Sequence, residues 1–120
     1  MARILVIDDE DDVRAVIRAI LESGGHEVET ASDGVDGVRK FQQQSFDLVL
    51  CDSVMPNKPG EEIVGEIRRL SGSMPIITMS GRPPEHPDDT RAVRHLAKPF
   101  RARTLLSVVA ECLATRGGSG

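Results

Sequence analysis

The chain of 120 residues contains no tryptophan or tyrosine, and its only aromatic residues are three phenylalanines. Aromatic rings that could stack on bases are therefore nearly missing, and a formal net charge of −4 offers no general attraction for phosphate. No apolar run approaches the roughly 20 residues that span a bilayer, and no basic segment precedes an apolar signal segment. These absences argue against direct nucleic-acid binding and membrane association, and they favour a cytoplasmic protein.

Cysteine is also scarce, with only Cys51 and Cys112 in the chain. The two residues are far apart in sequence and lack the paired spacing of a zinc site. We therefore expect two ordinary reduced thiols that pack as small apolar side chains.

Apolar runs of strand length alternate along the chain with segments of helical periodicity. This alternation predicts one α/β domain in which helices cover both faces of a doubly wound parallel sheet. Five strands are predicted at about residues 3–8, 27–30, 47–52, 75–80 and 95–97. Helices are predicted at about 11–23, 33–44, 63–70 and 104–113.

The segment between the fourth and fifth strands has a weaker pattern. Pro83, Pro84 and Pro87 exclude a continuous helix across its first half, so that only about residues 88–93 can be helical. We therefore predict a short or irregular fourth helix at this point. The domain is expected to comprise residues 1–116, followed by a flexible, glycine-rich tail over 117–120.

Carboxylates follow two of the predicted strands directly. Asp8 and Asp9 come after the first apolar run, and Asp52 comes after the run that ends at Cys51. If these strands are neighbours, the acids meet at one sheet edge, where two like charges about 4 Å apart cost roughly 4 kcal/mol at an effective dielectric near 20. Such a cluster either holds protons or binds a cation, and oxygen ligands favour magnesium or calcium.

Two further polar residues fall at the carboxyl ends of predicted strands, where open parallel sheets bind their ligands. Ser80 ends the fourth strand and provides a hydroxyl that can donate to an oxyanion. Lys98 follows the fifth strand and provides an ammonium group that can neutralise negative charge. Together with a carboxylate nucleophile and a divalent cation, these groups predict phosphoryl transfer to an aspartate.

The same residues form an ordered set of motifs that closely resembles the response-regulator receiver domain of two-component signalling. The motifs are Ile7-Asp8-Asp9, Asp52 before Met55-Pro56 and Gly60, Thr78-Met79-Ser80, and Lys98-Pro99-Phe100. The resemblance covers residues 2–116. It implies a flavodoxin-like, five-stranded parallel sheet of order 2-1-3-4-5.

The resemblance also implies a magnesium site with a defined set of ligands. Asp52 corresponds to the phosphate acceptor and Asp9 to a direct Mg²⁺ ligand. Asp8 would act mainly through metal-bound water, and Val54 would contribute its backbone carbonyl.

Four further residues receive roles from the resemblance. Ser80 would bond a phosphoryl oxygen, and Lys98, whose bond to the following proline is typically cis in the family, would pair with the phosphate or the acceptor. His95 occupies the position where the family usually carries a switching Tyr or Phe, although a purely structural histidine is an equal alternative. Arg82 would reach over the site and tune the lifetime of the phosphoaspartate, unless it is simply exposed to solvent.

The function implied by the resemblance is a stand-alone receiver that accepts a phosphoryl group on Asp52 from a histidine kinase or a histidine phosphotransfer protein. It would assist its own phosphorylation and dephosphorylation and signal through contact with an unidentified protein. A receiver fragment of a longer response regulator or hybrid histidine kinase is the main alternative. A receiver that works without phosphorylation, and a small-molecule phosphatase with an aspartate nucleophile, are less favoured readings.

Overall fold

The computed structural model describes residues 2–53, 60–81 and 93–118. Within these ranges the chain forms five strands and four helices. The strands are β1 (Arg3–Ile7), β2 (Glu27–Ala31), β3 (Leu48–Asp52), β4 (Ile76–Ser80) and β5 (Val93–Ala97). The helices are α1 (Asp11–Ser23), α2 (Gly34–Gln43), α3 (Gly60–Leu70) and α4 (Ala102–Gly118).

All five strands pair in parallel to form one sheet of order β2-β1-β3-β4-β5. This confirms the predicted doubly wound fold and its strand order. Ile7 lies opposite Cys51 in the pairing of β1 with β3, and Cys51 lies opposite Thr78 in the pairing of β3 with β4. The carboxyl ends of the three central strands therefore meet at the same edge of the sheet.

The sheet separates two apolar cores, one on each face. Alternate side chains of a strand point to opposite faces, so that Ile4 and Val6 join one core while Leu5 and Ile7 join the other. The first core includes Ile17 and Leu21 from α1 and Leu105 and Val109 from α4. The second includes Ile63 and Ile67 from α3. Burial on both faces explains why β1 and β3 are almost continuously apolar.

Local signals in the sequence define several element ends. Helix α1 has the predicted bounds and ends before Gly24 and Gly25, the second of which has a φ of 89° that favours glycine. Asp33 caps α2, because its carboxylate accepts a hydrogen bond of 2.8 Å from the backbone N–H of Asp36.

Two predicted boundaries near the C-terminus were wrong. Val93 belongs to β5, where it pairs with Ile76, and does not end a helix, so that this strand begins two residues before His95. Helix α4 runs from Ala102 to Gly118 and thus extends beyond both ends of the predicted helix at about 104–113. The rest of the predicted short fourth helix, about residues 88–92, lies outside the described residues.

Candidate functional site

Four acidic side chains converge at the carboxyl edge of the sheet. Asp8, Asp9, Glu10 and Asp52 each offer a carboxylate oxygen, and these atoms all lie within 4.8 Å of one another. Asp8 is fully buried and Asp52 is only 4% exposed, whereas Asp9 and Glu10 are exposed. The strand-end acids predicted from the sequence therefore form one cluster that is open to solvent on one side.

The backbone after β1 holds Asp8 in this cluster. Its N–H donates to the carbonyl of Ala31 at 3.1 Å, which extends the pairing with β2 by one bond. One carboxylate oxygen of Asp8 accepts from the backbone N–H of Glu10 at 2.9 Å, and the Asp8 carbonyl accepts from the Arg14 guanidinium at 2.7 Å. These hydrogen bonds connect Asp8 to the turn before α1 and to α1 itself, and they fix the position of its carboxylate.

Lys98 provides a cation inside the cluster. Its Nζ lies 3.2 Å from Oδ2 of Asp8 and 3.5 Å from Oδ2 of Asp52. Burial alone would lower the pKa of Lys98, but the charges of Asp8 and Asp52, together with the hydrogen bond to Asp8 and the charge of Glu10, raise it above its usual value. Its backbone N–H donates to the carbonyl of Ser80 at 2.7 Å, and the Lys98–Pro99 bond is cis.

The donor set fits a hard divalent cation. One ammonium group faces four carboxylates, so that the cluster as described keeps an excess of negative charge. All four side chains offer oxygen atoms, which are the ligands that Mg²⁺ prefers. Softer metals such as zinc are often bound by thiolates, and the cluster contains none. Because Asp9 and Glu10 are exposed, a hydrated ion can reach the cluster from their side.

Ser80 ends β4 directly after Met79, which pairs with Asp52 in the sheet, and is 6% exposed. Its Oγ is 3.2 Å from Nε2 of His95, and Nδ1 of the same ring is 3.0 Å from Oγ1 of Thr78. The imidazole therefore joins two hydroxyl groups of the neighbouring strand.

The turn after β3 is packed closely against the start of α3. Both the N–H and the hydroxyl of Ser53 donate to the carbonyl of Met79, at 2.9 and 3.0 Å. The N–H of Gly60 donates to the carbonyl of Ser53 at 3.3 Å. A Cβ atom at Gly60 would lie only 2.6 Å from Cα of Ser53 and 3.0 Å from the carbonyl oxygen of Asp52. Glycine at this position is what allows the helix to approach the acid so closely.

The structure thus brings together four of the residues that the sequence singled out, namely Asp8, Asp9, Asp52 and Lys98. Ser80 and His95 contact each other on the adjoining strands. Val54 and Arg82 are not among the residues that the structure describes, and their roles stay predictions.

Sequence reasoning missed two members of this region. Glu10 immediately precedes α1, where it makes no capping hydrogen bond with its side chain, and its carboxylate joins the cluster. Its position directly after the Asp8-Asp9 pair was the available signal. Thr78 was noted only as part of a motif, because its pairing with His95 depends on the register of two strands.

The fold and the site define the class of protein: a flavodoxin-like α/β domain with a cluster of acidic side chains at the carboxyl edge of its sheet. The family model described as response regulator receiver domain matches residues 4–110. The chain belongs to this family, and it is a receiver domain of the two-component response-regulator type.

Individual relatives agree with this assignment. The chain is 31% identical over 121 residues to the regulatory protein VanRB of Enterococcus faecalis, covering 98% of this chain and 54% of that protein. It is 32% identical to the chemotaxis protein CheY4 of Vibrio cholerae, with a TM-score of 0.86, covering 94% of this chain and 99% of the other. It is 31% identical to a receiver domain from the hybrid histidine kinase CckA, with a TM-score of 0.81. That match covers 92% of this chain and 98% of the other.

The chain spans about half the length of the first curated relatives that it matches. Within the described ranges, no helix combines the length and apolar character that crossing a membrane requires.

Proposed function

We propose that Asp52 accepts a phosphoryl group from a phosphorylated histidine on a histidine kinase or a histidine phosphotransfer protein. The observation that supports this most directly is the position of the Asp52 carboxylate, which lies among three other acids and 3.5 Å from the Lys98 ammonium. A carboxylate can act as a nucleophile towards phosphorus when nearby positive charge neutralises the transferred group.

The transfer forms a bond between a carboxylate oxygen of Asp52 and phosphorus while the bond from phosphorus to the donor imidazole nitrogen breaks. The electron pair of the broken bond returns to the imidazole, which is a good leaving group. The receiver therefore contributes mainly by positioning and electrostatics. Its residues align the acceptor and neutralise charge on the phosphoryl oxygens. Lys98 provides one positive charge, and the Ser80 hydroxyl provides a hydrogen-bond donor.

Mg²⁺ is the proposed cofactor of this reaction. Asp9 and Asp52 would bind the ion directly, Asp8 would act through bound water, and Val54 would add its backbone carbonyl. When bound, Mg²⁺ stabilises the negative charge on the transferring oxygens. Glu10 adds a fourth carboxylate to the same cluster.

The phosphorylated domain is proposed to signal through contact with another protein. Because the chain spans about half of VanRB, a receiver unit of a longer response regulator or hybrid kinase is a second candidate. The first candidate is a stand-alone receiver. Size analysis of the native protein in the source cells separates the two, since only the second candidate requires a substantially longer chain.

Phosphorylation is tested with acetyl phosphate and Mg²⁺, followed by intact-mass measurement. We expect the wild type to gain the mass of one phosphoryl group and Asp52→Asn to gain none. Asp12→Asn is the matched control, because Asp12 is an exposed acid in the first turn of α1 and is not part of the cluster. Equal labelling of Asp52→Asn and the wild type would contradict the assignment of the acceptor.

A further inference from the structure

Ser53, the first residue after β3, is bonded to β4 by both its backbone and its side chain. Its N–H donates to the carbonyl of Met79 at 2.9 Å, which extends the pairing of β3 with β4 by one bond beyond Asp52. Its Oγ donates to the same carbonyl at 3.0 Å. A carbonyl oxygen has two lone pairs and can accept both bonds. Most residues at position 53 could make the first bond, but the second requires a side-chain donor such as the serine hydroxyl.

The shared acceptor belongs to the peptide that connects Met79 to Ser80. Met79 pairs with Asp52 in the sheet, so that Ser80 and Ser53 are the residues that directly follow this pair. The two hydrogen bonds of Ser53 therefore join the strand of the proposed acceptor to the strand of the proposed phosphate-binding hydroxyl, at the point where both strands end. Ends of paired strands open more readily than their centres, and a second bond has its greatest effect there.

The backbone of Ser53 is also restricted from the side of α3. The N–H of Gly60 donates to the Ser53 carbonyl at 3.3 Å, and a Cβ atom at Gly60 would lie 2.6 Å from Cα of Ser53. Contacts with β4 on one side and α3 on the other thus hold the backbone of Ser53. The hydroxyl adds one restraint that depends on the side chain alone.

We propose that Ser53 is a positioning residue of the phosphorylation site, and that its hydroxyl sets the placement of Ser80 relative to Asp52. The inference rests on the proposed function, because it concerns the geometry in which Asp52 accepts the phosphoryl group. Ser53 acts through the Met79–Ser80 peptide and not by contact with the transferred group. Transfer to a carboxylate depends mainly on alignment and on charge balance, so that a small displacement of Ser80 slows it.

The first measurement is the initial rate of labelling by acetyl phosphate and Mg²⁺, with folding of each variant checked by circular dichroism. Ser53→Ala removes the hydroxyl and keeps the backbone N–H, and we expect its rate to fall about tenfold. Ser53→Thr keeps a hydroxyl and should label close to the wild-type rate. Ser23→Ala is the matched control, because it removes a hydroxyl that also donates to a backbone carbonyl, that of Ile20 at 2.6 Å, at the exposed end of α1.

The second measurement follows the hydrogen bond itself in the unphosphorylated protein. The chain contains one Met-Ser dipeptide, Met79-Ser80, so that ¹³C in methionine carbonyls and ¹⁵N in serine give a single carbonyl-to-amide NMR signal. Loss of a hydrogen-bond donor moves the ¹³C resonance of a carbonyl to lower frequency. We expect this shift in Ser53→Ala, and we expect the wild-type position in Ser53→Thr and Ser23→Ala.

An unchanged Met79 carbonyl signal in Ser53→Ala would overturn the inference, because the hydroxyl would then not be bonded to Met79. Labelling of Ser53→Ala at the wild-type rate would also overturn it, as would labelling of Ser53→Thr as slow as that of Ser53→Ala. In these cases a labelled wild type leaves the proposed function in place. A wild type that acetyl phosphate does not label would contradict the proposed function itself, and the inference with it.

Discussion

At the scale of single residues, Asp8 shows how a charge is accommodated at zero exposure. A buried carboxylate is costly unless it is paired and hydrogen-bonded. Asp8 has both, since Lys98 lies 3.2 Å away and the backbone N–H of Glu10 donates to its other oxygen. Glu10 and Lys98 lie near opposite ends of the chain, so that the Asp8 charge is stabilised only when the whole sheet has formed.

Cys51, which precedes the proposed acceptor Asp52 in β3, is expected to make the stability of the domain depend on pH in the alkaline range. Burial, followed by the charges of Asp52 and Asp8, raises the pKa of its thiol from the usual 9.0 to about 12. Above pH 9 the unfolded chain loses a proton that the native chain retains, so that the free energy of unfolding falls as pH rises. The expected loss is about 1.4 kcal/mol for each pH unit between 9 and 12.

Urea unfolding, followed by circular dichroism between pH 8 and 10, measures this loss. This pH range lies below the raised pKa of Lys98, so that Lys98 stays protonated in the native state. Cys51→Ala should weaken the pH dependence of the unfolding free energy, because the variant has no thiol at position 51. Cys112→Ala is the matched control, because it changes the other free thiol and leaves the Cys51 contribution in place. The same pH dependence in wild type and Cys51→Ala would show that another group is responsible.

At the scale of elements, the approach of α3 to β3 depends on one glycine of the helix and not on another. A Cβ at Gly60 would meet the backbone of Ser53 and Asp52, whereas a Cβ at Gly65 would have no neighbour within 4 Å. We expect Gly60→Ala to destabilise the domain by about 1–3 kcal/mol through overpacking. Gly65→Ala should stabilise it by about 0.5–1 kcal/mol, because alanine is the better helix former.

Thermal and urea unfolding of the two variants form a matched pair within one helix. Gly60→Ala should also slow labelling by acetyl phosphate, since the displaced backbone includes the Asp52 carbonyl, while Gly65→Ala should label at the wild-type rate. Similar stability changes at both positions would mean that the close contact at Gly60 does not constrain the fold.

At the scale of the whole molecule, the acid cluster exists only when β1 and β3 pair, because Asp52 and the other acids follow different strands. Mg²⁺ bound there is therefore expected to stabilise the native state by about 2.7 kcal/mol at a concentration 100 times its dissociation constant. Asp9→Asn should lose much of this gain, because it removes a proposed direct ligand. Asp12→Asn should keep the gain, since Asp12 is outside the cluster.

Urea unfolding in Mg²⁺ and in chelator measures this linkage. Circular dichroism is the suitable signal, because the chain has no tryptophan or tyrosine to report by fluorescence. Equal unfolding free energies of the wild type in both solutions would argue against a magnesium site at this edge of the sheet.

Much of the fold followed from local patterns. The helical spacing that ends at Gly24 defined α1 correctly at both ends, and the uninterrupted apolar runs identified β1 and β3, because strands buried on both faces need no polar positions. The boundaries of β5 and α4 were less accurate. Whether Val93 extends a strand is decided by its pairing with Ile76, which the local sequence does not contain.

The sequence by itself determined the chemical inventory of this protein: acids at two strand ends, a hydroxyl and an ammonium group at two others, and the order in which they occur. These features are local, since each depends on where an apolar run ends. Only the tertiary structure decided which groups meet. The 3.2 Å contact between Lys98 and Asp8 joins residues 90 positions apart, and the hydrogen bonds of His95 to Thr78 and Ser80 depend on the register of β4 and β5. Such contacts are set by the packing of the whole sheet, because no short segment contains both partners.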